Sequence, residues 1–513
     1  MSDIRENSNE QTYWRTDVEM PEFAPLSNSV DVDVAIIGGG ITGLTTAYIL
    51  SKEGKKVAVL EADRICEGTT GHTTAKITAQ HGFIYDELVS HLGVSGAKLY
   101  YQANQRAIDF IRELVSTHQI KCNFEDEHSY LYATTEEGVH KLEKEKQAYE
   151  QVGIAHEWLD TLPLNIPIKA ALCMKNQAQF HPLKFMAFLA NEIIKKGGVI
   201  FEQTVALDIN HDAKPTVLTK NGYPVTASSI VAASHFPFVD KGGLYFSRMK
   251  ADRSYIIAAQ TEDNWPGGMY LNVDRPSRSI RASTTSDGKT IILLGGEHHK
   301  AGQGEDTRIY YEELEAYGTK YFTSFDVKNR WSAQDLTTLD NLPYIGRLSP
   351  LHTDLFVATG YRKWGMTGGT NAGIILANVI VHGSDEFESV FLPSRVHADP
   401  SIRHFLKENL NVASELIKGK VSPDEQSINS LKNDEGAAVH YQGKKAGAYR
   451  DNDGQIYIVD TTCTHIGCEV GWNKGDRTWD CPCHGSRFSY SGDVLEGPAK
   501  EPLPLLSHEK TTT

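Results

Sequence analysis

Short apolar runs alternate along the chain with longer stretches of helical spacing. Residues 32–37 (VDVAII) are apolar at nearly every position, the pattern of a strand buried on both faces of a parallel sheet. A glycine-rich turn follows, then LTTAYILSKEG with helical spacing and a stop at Gly54, then the strand-like VAVLE at 57–61. This is one βαβ start. Helical stretches at 85–116, 136–153 and 182–196 then alternate with strand-like runs at 199–201, 230–233, 291–294 and 355–358. Alternation of this kind predicts an α/β or mixed domain. Residues 1–30 read as an irregular arm broken by Pro21 and Pro25, and 400–420 as an amphipathic helical linker. The polar VSPDEQSINSLKNDEG marks a boundary, and from 421 to 513 short strands separated by Gly, Asp and Asn turns predict a small all-β domain.

Composition narrows the class. The 513 residues are 40% hydrophobic and 23% charged, enough for a packed core. The 51 basic and 66 acidic residues leave a net charge of −15, which argues against a nucleic-acid partner. No apolar stretch approaches the roughly 18 residues of a membrane span, so no membrane insertion is expected. The N-terminus lacks the pattern of a secretory signal, and a cytoplasmic location is the expectation. Seven cysteines are too few for a disulfide framework in a chain this long. Cys66, Cys122 and Cys173 are scattered and read as buried thiols, whereas Cys463, Cys468, Cys481 and Cys483 crowd together.

Gly38, Gly40 and Gly43 form G-x-G-x-x-G between a predicted strand and helix. The first glycine permits the tight turn, the second close approach of a pyrophosphate, and the third close helix–strand packing. The anion would rest on the N-terminus of a helix beginning near Thr42. Glu61, 18 residues after Gly43, suits a free ribose 2′-hydroxyl, hence NAD or FAD rather than NADP.

Several further motifs separate those two. EGTTGHTTAK (67–76), His181-Pro182-Leu183, LDNLPYIGRL (339–348) and ATGYRKWGMTGGTNAGIILA (358–377) together resemble the glycine oxidase/D-amino-acid oxidase-like family of FAD-dependent oxidoreductases over residues 31–399. The resemblance implies an α/β FAD-binding (Rossmann-like) domain with an interleaved α+β substrate domain. It also implies that Thr69, Thr70 and His72 run past the flavin, and that Lys363, Gly365, Met366 and Thr367 lie at its pyrimidine end. A helix expected to start near Gly369, helped by Lys363 or Arg362, would offset charge on reduced flavin. His72 corresponds to a histidine that some relatives link covalently to the cofactor, so both a covalent bond and a non-covalent neighbour are open. Arg253, Tyr255 and Arg281 fall in the expected substrate half; they read first as ordinary surface or structural residues and, as the alternative, as groups that orient a carboxylate. His298 and His299 read as loop residues without a third ligand.

Near the C-terminus, C-T-H-I-G-C (463–468) and C-P-C-H-G-S (481–486) offer two Cys/His pairs on two loops. Such a set suits zinc by residue type. The motifs, however, resemble the Rieske [2Fe–2S] domain of the cytochrome bc type, over residues 421–513. By that resemblance Cys463 and Cys481 bind one iron, His465 and His484 the other, and Cys468 and Cys483 form a disulfide. With two neutral imidazoles the oxidised cluster is uncharged, which places such centres at roughly −150 to +300 mV, far above four-cysteine ferredoxins. Ser486 matches a serine that donates toward the cluster, and Gly497-Pro498 a shielding loop. Tyrosine stands two residues after that serine in high-potential members; Phe488 stands here, so a lower potential is expected. No His/His/Asp set for a mononuclear iron is recognised in the sequence. The chain thus reads as a flavin–iron–sulfur enzyme that oxidises an amine or amino acid and passes electrons through the cluster to an unidentified acceptor. A reductase with reversed flow and a redox sensor without turnover are the alternatives.

Overall fold

The computed structural model describes residues 11–211, 214–239, 245–304, 306–349, 352–395, 411–412, 414–416 and 426–510. Residues 411–412 and 414–416 are helical, and the rest of the linker expected at 400–420 lies outside the described residues, as do residues 1–10 of the arm.

The first sheet is largely parallel. Val30–Ile37 lies at its centre, flanked by Val57–Leu60 and Val225–Ala232, with Val199–Phe201 at one edge and His352–Thr359 and Tyr344–Ser349 toward the other. The central strands end in continuously buried apolar runs, at residues 34–37, 230–232 and 355–358, because helices cover the sheet. Ile41–Lys52, Pro182–Lys195 and Gly365–His382 pack together there. His181 caps the Pro182–Lys195 helix, its Nδ1 accepting from the Lys184 N–H, and Pro182 takes the first helical position. Asp340 of the LDNLP motif forms a buried pair with Arg395 at 2.7 Å.

The last of these helices begins at Gly365, four residues before the start expected near Gly369. Gly369 and Gly373 serve packing instead. A Cβ on Gly369 would come within 2.8 Å of Ile41, and one on Gly373 within 2.7 Å of Thr45. Trp14 in the N-terminal arm is fully buried in a short 3-10 helix, and its indole N–H donates to the Thr73 carbonyl at 2.7 Å.

The second sheet is mainly antiparallel. It runs Asp326–Thr338, Met249–Thr261, Thr290–Lys300, Ser279–Thr284, Met269–Asn272, Glu125–Ala133, Ala170–Gln179 and Lys76–Ile77 in spatial order. Its strands come from between the segments of the first sheet, so the two domains are interleaved in sequence. The C-terminal domain is all β, with two four-stranded antiparallel sheets, Glu435–Tyr441 to Leu505–Lys510 and Gly471–Asn473 to Val494–Glu496.

Period-2 alternation decides what the Met249–Thr261 strand presents to each side. Ser254 and Ile256 face the space between the two large sheets. Arg253 and Tyr255 face the other way. Arg253, fully buried, donates to Glu496 of the small domain at 2.8 Å, to Ser332 and to Gln334, with Asp476 and Asp480 just beyond at 3.9 and 3.8 Å. Arg487 answers from the small domain, pairing Asp476 at 2.7 Å. Of the two readings of Arg253 and Tyr255, the structural one holds and the carboxylate-orienting one does not. Arg253 ties the domains together, and Tyr255 bonds and stacks on His299. Arg281 is spent too, its guanidinium donating to the carbonyls of Thr74, Ala75, Phe180 and Ala282.

Removing one member of a buried ionic network strands the others without counter-charge. Arg253→Ala is expected to cost about 3–5 kcal/mol in urea unfolding. A loss below about 1 kcal/mol, the range of exposed pairs, shows that the network is not desolvated.

Candidate functional site

The strand–turn–helix that opens the first sheet builds one end of the site. Gly38 has φ +111°, a conformation costly for other residues, and a Cβ on Gly43 would overlap the Gly38 carbonyl at 1.9 Å. Glu61 follows its strand, and its carboxylate accepts from the Gly39 N–H at 2.7 Å and the Asp63 N–H at 3.0 Å. Burial pushes its pKa up. Thr70 accepts the Ile41 N–H at 3.0 Å, bonding the 69–72 loop to the helix start. Thr69 donates to the Gln334 carbonyl, which bonds the same loop to the second sheet.

Gly38, Gly40, Glu61, Thr69, Thr70, His72, Lys363, Gly365 and Met366 all line one cavity of about 1750 Å³ between the two sheets. Gly43 stands outside the lining, as its packing role requires, and Thr367 sits just behind, accepting the Thr78 N–H at 2.9 Å. Arg362 and Lys363 take positive φ immediately before the Gly365–His382 helix, which turns the helix N-terminus and its free N–H groups into the cavity. The Arg362 guanidinium is held on the His81 carbonyl.

His72 Nδ1 lies 2.9 Å from the Gly68 carbonyl, so the proton sits on that nitrogen and Nε2 carries the lone pair. Burial lowers its pKa to about 4 and keeps the ring neutral. His298 and His299 lie in a strand rather than a loop. His298 opens on the cavity, and His299 is stacked between Tyr255 and Tyr310. Lys76 and Asp335 also line the cavity and carry chemistry that sequence reading passed over.

In the small domain the two motif loops meet. Cys463 and Cys481 are free and buried, and Cys468 and Cys483 are joined by a disulfide. The His465 and His484 rings are 5.1 Å apart, and both Nδ1 atoms are buried without a hydrogen-bond partner. Two orphaned imidazole nitrogens beside two free thiols are what a [2Fe–2S] cluster with two His and two Cys ligands requires. Burial lowers the pKa of both histidines, which keeps them neutral, the ligating form. The Ser486 hydroxyl bonds Cys463 and accepts the Ala499 N–H at 3.0 Å. Phe488 is fully buried in the same apolar shell as the four cysteines.

The histidine edge faces the flavin-binding half. Phe246 lies 6.2 Å from His465 and 5.6 Å from His484, and Phe236 lies 6.4 Å from His465, centroid to centroid. A Cβ on Gly302 would meet the Pro482 backbone nitrogen at 2.5 Å, and one on Gly485 would meet Ala251 at 2.6 Å. Residues 494–500, including Gly497-Pro498, form part of the cavity wall. His211, His352 and Asp354 bring ligand atoms within 4.8 Å of one another at a partly exposed position, with the two imidazoles stacked. None of the three lines the cavity.

Fold and site together define a flavin-dependent oxidoreductase that carries its own iron–sulfur centre. The chain belongs to the FAD dependent oxidoreductase family, whose model matches residues 33–379, and the Rieske [2Fe-2S] domain model matches residues 424–507. It is 46% identical over 493 residues to the Rieske 2Fe-2S iron-sulfur protein YhfW of Bacillus subtilis (strain 168), spanning 96% of this chain and 97% of that one. It is 24% identical over 383 residues to gamma-glutamylputrescine oxidoreductase of Escherichia coli (strain K12), covering 72% of this chain and 88% of the relative. Glycine oxidase from Geobacillus kaustophilus shares the fold, with a TM-score of 0.60 and 19% identity over 72% of this chain and all of that one. The protein accordingly takes FAD and a [2Fe–2S] cluster. Among the described residues no helix is long and apolar enough to cross a membrane.

Two measurements follow from this geometry. Phe488→Tyr places a hydroxyl in the cluster shell. A new hydrogen bond of about 1 kcal/mol to the reduced cluster raises its midpoint by roughly 40 mV, and an unchanged midpoint rules the bond out. Acid precipitation is expected to leave the flavin in the supernatant; a yellow pellet would instead establish a covalent bond, for which His72 is the candidate.

Proposed function

We propose that the protein oxidises the C–N bond of an amine or amino acid and drains the electrons internally through its Rieske centre to an acceptor. The bound flavin accepts a hydride, and the cluster carries electrons one at a time. The observation that carries this reading is the orientation of the cluster loops, whose histidines face Phe236 and Phe246 of the flavin-binding half while residues 494–500 wall the same cavity. Relatives that act on amines and amino acids support the substrate class.

In this reading the cofactor lies along Gly38, Gly40 and Glu61 at its nucleotide end, with Gly43 packed behind them. It runs past Thr69, Thr70 and His72 to Lys363, Gly365, Met366 and Thr367. The helix N-terminus at Gly365 and the Lys363 charge favour negative charge there. Cys463 and Cys481 hold one iron, and His465 and His484 the other. The Cys468–Cys483 disulfide keeps the two ligand loops in register.

Anaerobic addition of candidate amines is expected to bleach the flavin absorbance first and the cluster absorbance second. Gly302→Val pushes a side chain against the Cys481-Pro482 backbone, so it should slow the second phase at least tenfold while sparing the first. Flavin bleaching with a permanently oxidised cluster would sink the internal route.

A further inference from the structure

We propose that Lys76 is the base that removes a proton from the substrate ammonium before its C–H bond breaks. The proposal rests on the amine-oxidation reading and names the residue that reading lacks.

Lys76 opens the edge strand Lys76–Ile77, directly after the loop that carries His72. Lys76 is only 7% exposed and lines the cavity between the two large sheets. Nζ donates to the Tyr270 carbonyl at 3.2 Å, and no carboxylate lies within ion-pair distance among the described residues. The charged group that acts on it is Arg281, on the Ser279–Thr284 strand, whose own donors are taken by backbone carbonyls. Its other neighbours add no charge. Gln179 is its cross-strand partner, and the Tyr270 hydroxyl is turned to Gly267. Glu125 and Glu127 act on Arg281 rather than on Lys76.

A buried ammonium without counter-charge is unstable relative to the amine. Burial, reinforced by Arg281, brings the pKa of Lys76 down to about 7. The uncharged amine keeps one N–H on Tyr270 and has a lone pair to accept a proton. An amine substrate arrives mostly as its ammonium, which has no lone pair to drive hydride loss. One substrate N–H bond breaks and a new N–H forms on Lys76 Nζ. The freed lone pair then makes a C=N bond as the adjacent hydrogen leaves with its bonding pair to the bound FAD. Water hydrolyses the iminium, and Lys76 returns its proton to solvent.

Two variants and two readouts test this. In the wild type, with any amine that it oxidises, the anaerobic bleaching rate should rise tenfold per pH unit below about 7 and level off above. Lys76→Met should bleach roughly 100- to 10,000-fold more slowly, without that inflection. Lys76→Arg keeps the charge but cannot give up its proton, so it should be as slow. Rescue by arginine would make Lys76 a charge anchor and overturn the proposal.

The second readout needs no turnover. A lysine whose folded pKa lies below its unfolded value of about 10.4 penalises the fold at low pH. That penalty is complete below about 7 and gone above about 10.4. Lys76→Met should therefore raise Tm at pH 6 and lose the advantage by pH 10; a Tm difference independent of pH overturns the proposal. Normal bleaching in Lys76→Met overturns the base alone, whereas a wild type that no amine bleaches overturns the oxidation reading and the base with it.

Discussion

The seam between the flavin-binding half and the small β domain is closed by a buried cluster of two guanidiniums and three carboxylates. Arg253 reaches Glu496, Asp476 and Asp480, and Arg487 meets the same three acids from the other side. The two arginines hold the Glu496 carboxyl down at about 2 against the cost of its burial. Buried pairs of this kind add little net stability, because desolvation offsets most of the attraction. What they fix is geometry, since each charge tolerates only positions that keep its partners in reach. Here that geometry sets which way the cluster loops point.

An electron carrier that meets its donor by diffusion needs a mobile tether and an exposed tip. In this chain the tip is pressed against the flavin-binding half. Gly302 and Gly485 stand where Cβ atoms would collide with the opposing domain, so the approach of the two backbones is closer than any other residue permits. Gln303 donates to the Pro482 carbonyl, Thr307 to Asn473, and Lys500 to the Leu207 carbonyl, so polar contacts continue around the rim. Burial of His465 and His484 also follows from this docking, and it keeps both imidazoles in the neutral form that ligates iron.

The parts legible in the sequence are those written in local spacing. The Cys/His loops, the glycine turn and the apolar runs carry their own geometry, and helices expected at 136–153 and 182–196 appear at Glu136–Val152 and Pro182–Lys195. What could not be read depends on which face a side chain takes once sheets close. Arg253 and Ser254 are neighbours in sequence, yet one meets the small domain and the other the cavity. Nothing local distinguishes them, because the alternation is the same whichever face is inward. A helix start is expected near Gly369, but the cause of that glycine, as of Gly373, is a neighbouring helix distant in sequence. His211 and His352 likewise come together only through the fold.

The Met249–Thr261 strand thereby acquires two tasks on its two faces. Ser254 and Ile256 help bound the cavity, while Arg253 anchors the cluster domain, and the residues alternate one by one. Gln334, the cross-strand partner of Arg253, extends the link. Its backbone carbonyl accepts from Thr69 in the loop past the cavity, while its side chain accepts from Arg253 and lies against Gly485. The cavity loop, the antiparallel sheet and the loop that carries Cys481 and His484 are therefore joined through a single residue. Glu496 closes the same link from the small domain, pairing with Arg253 while also lying in the cavity wall. The antiparallel sheet, through Arg253, thus supplies the central ionic anchor of the small domain.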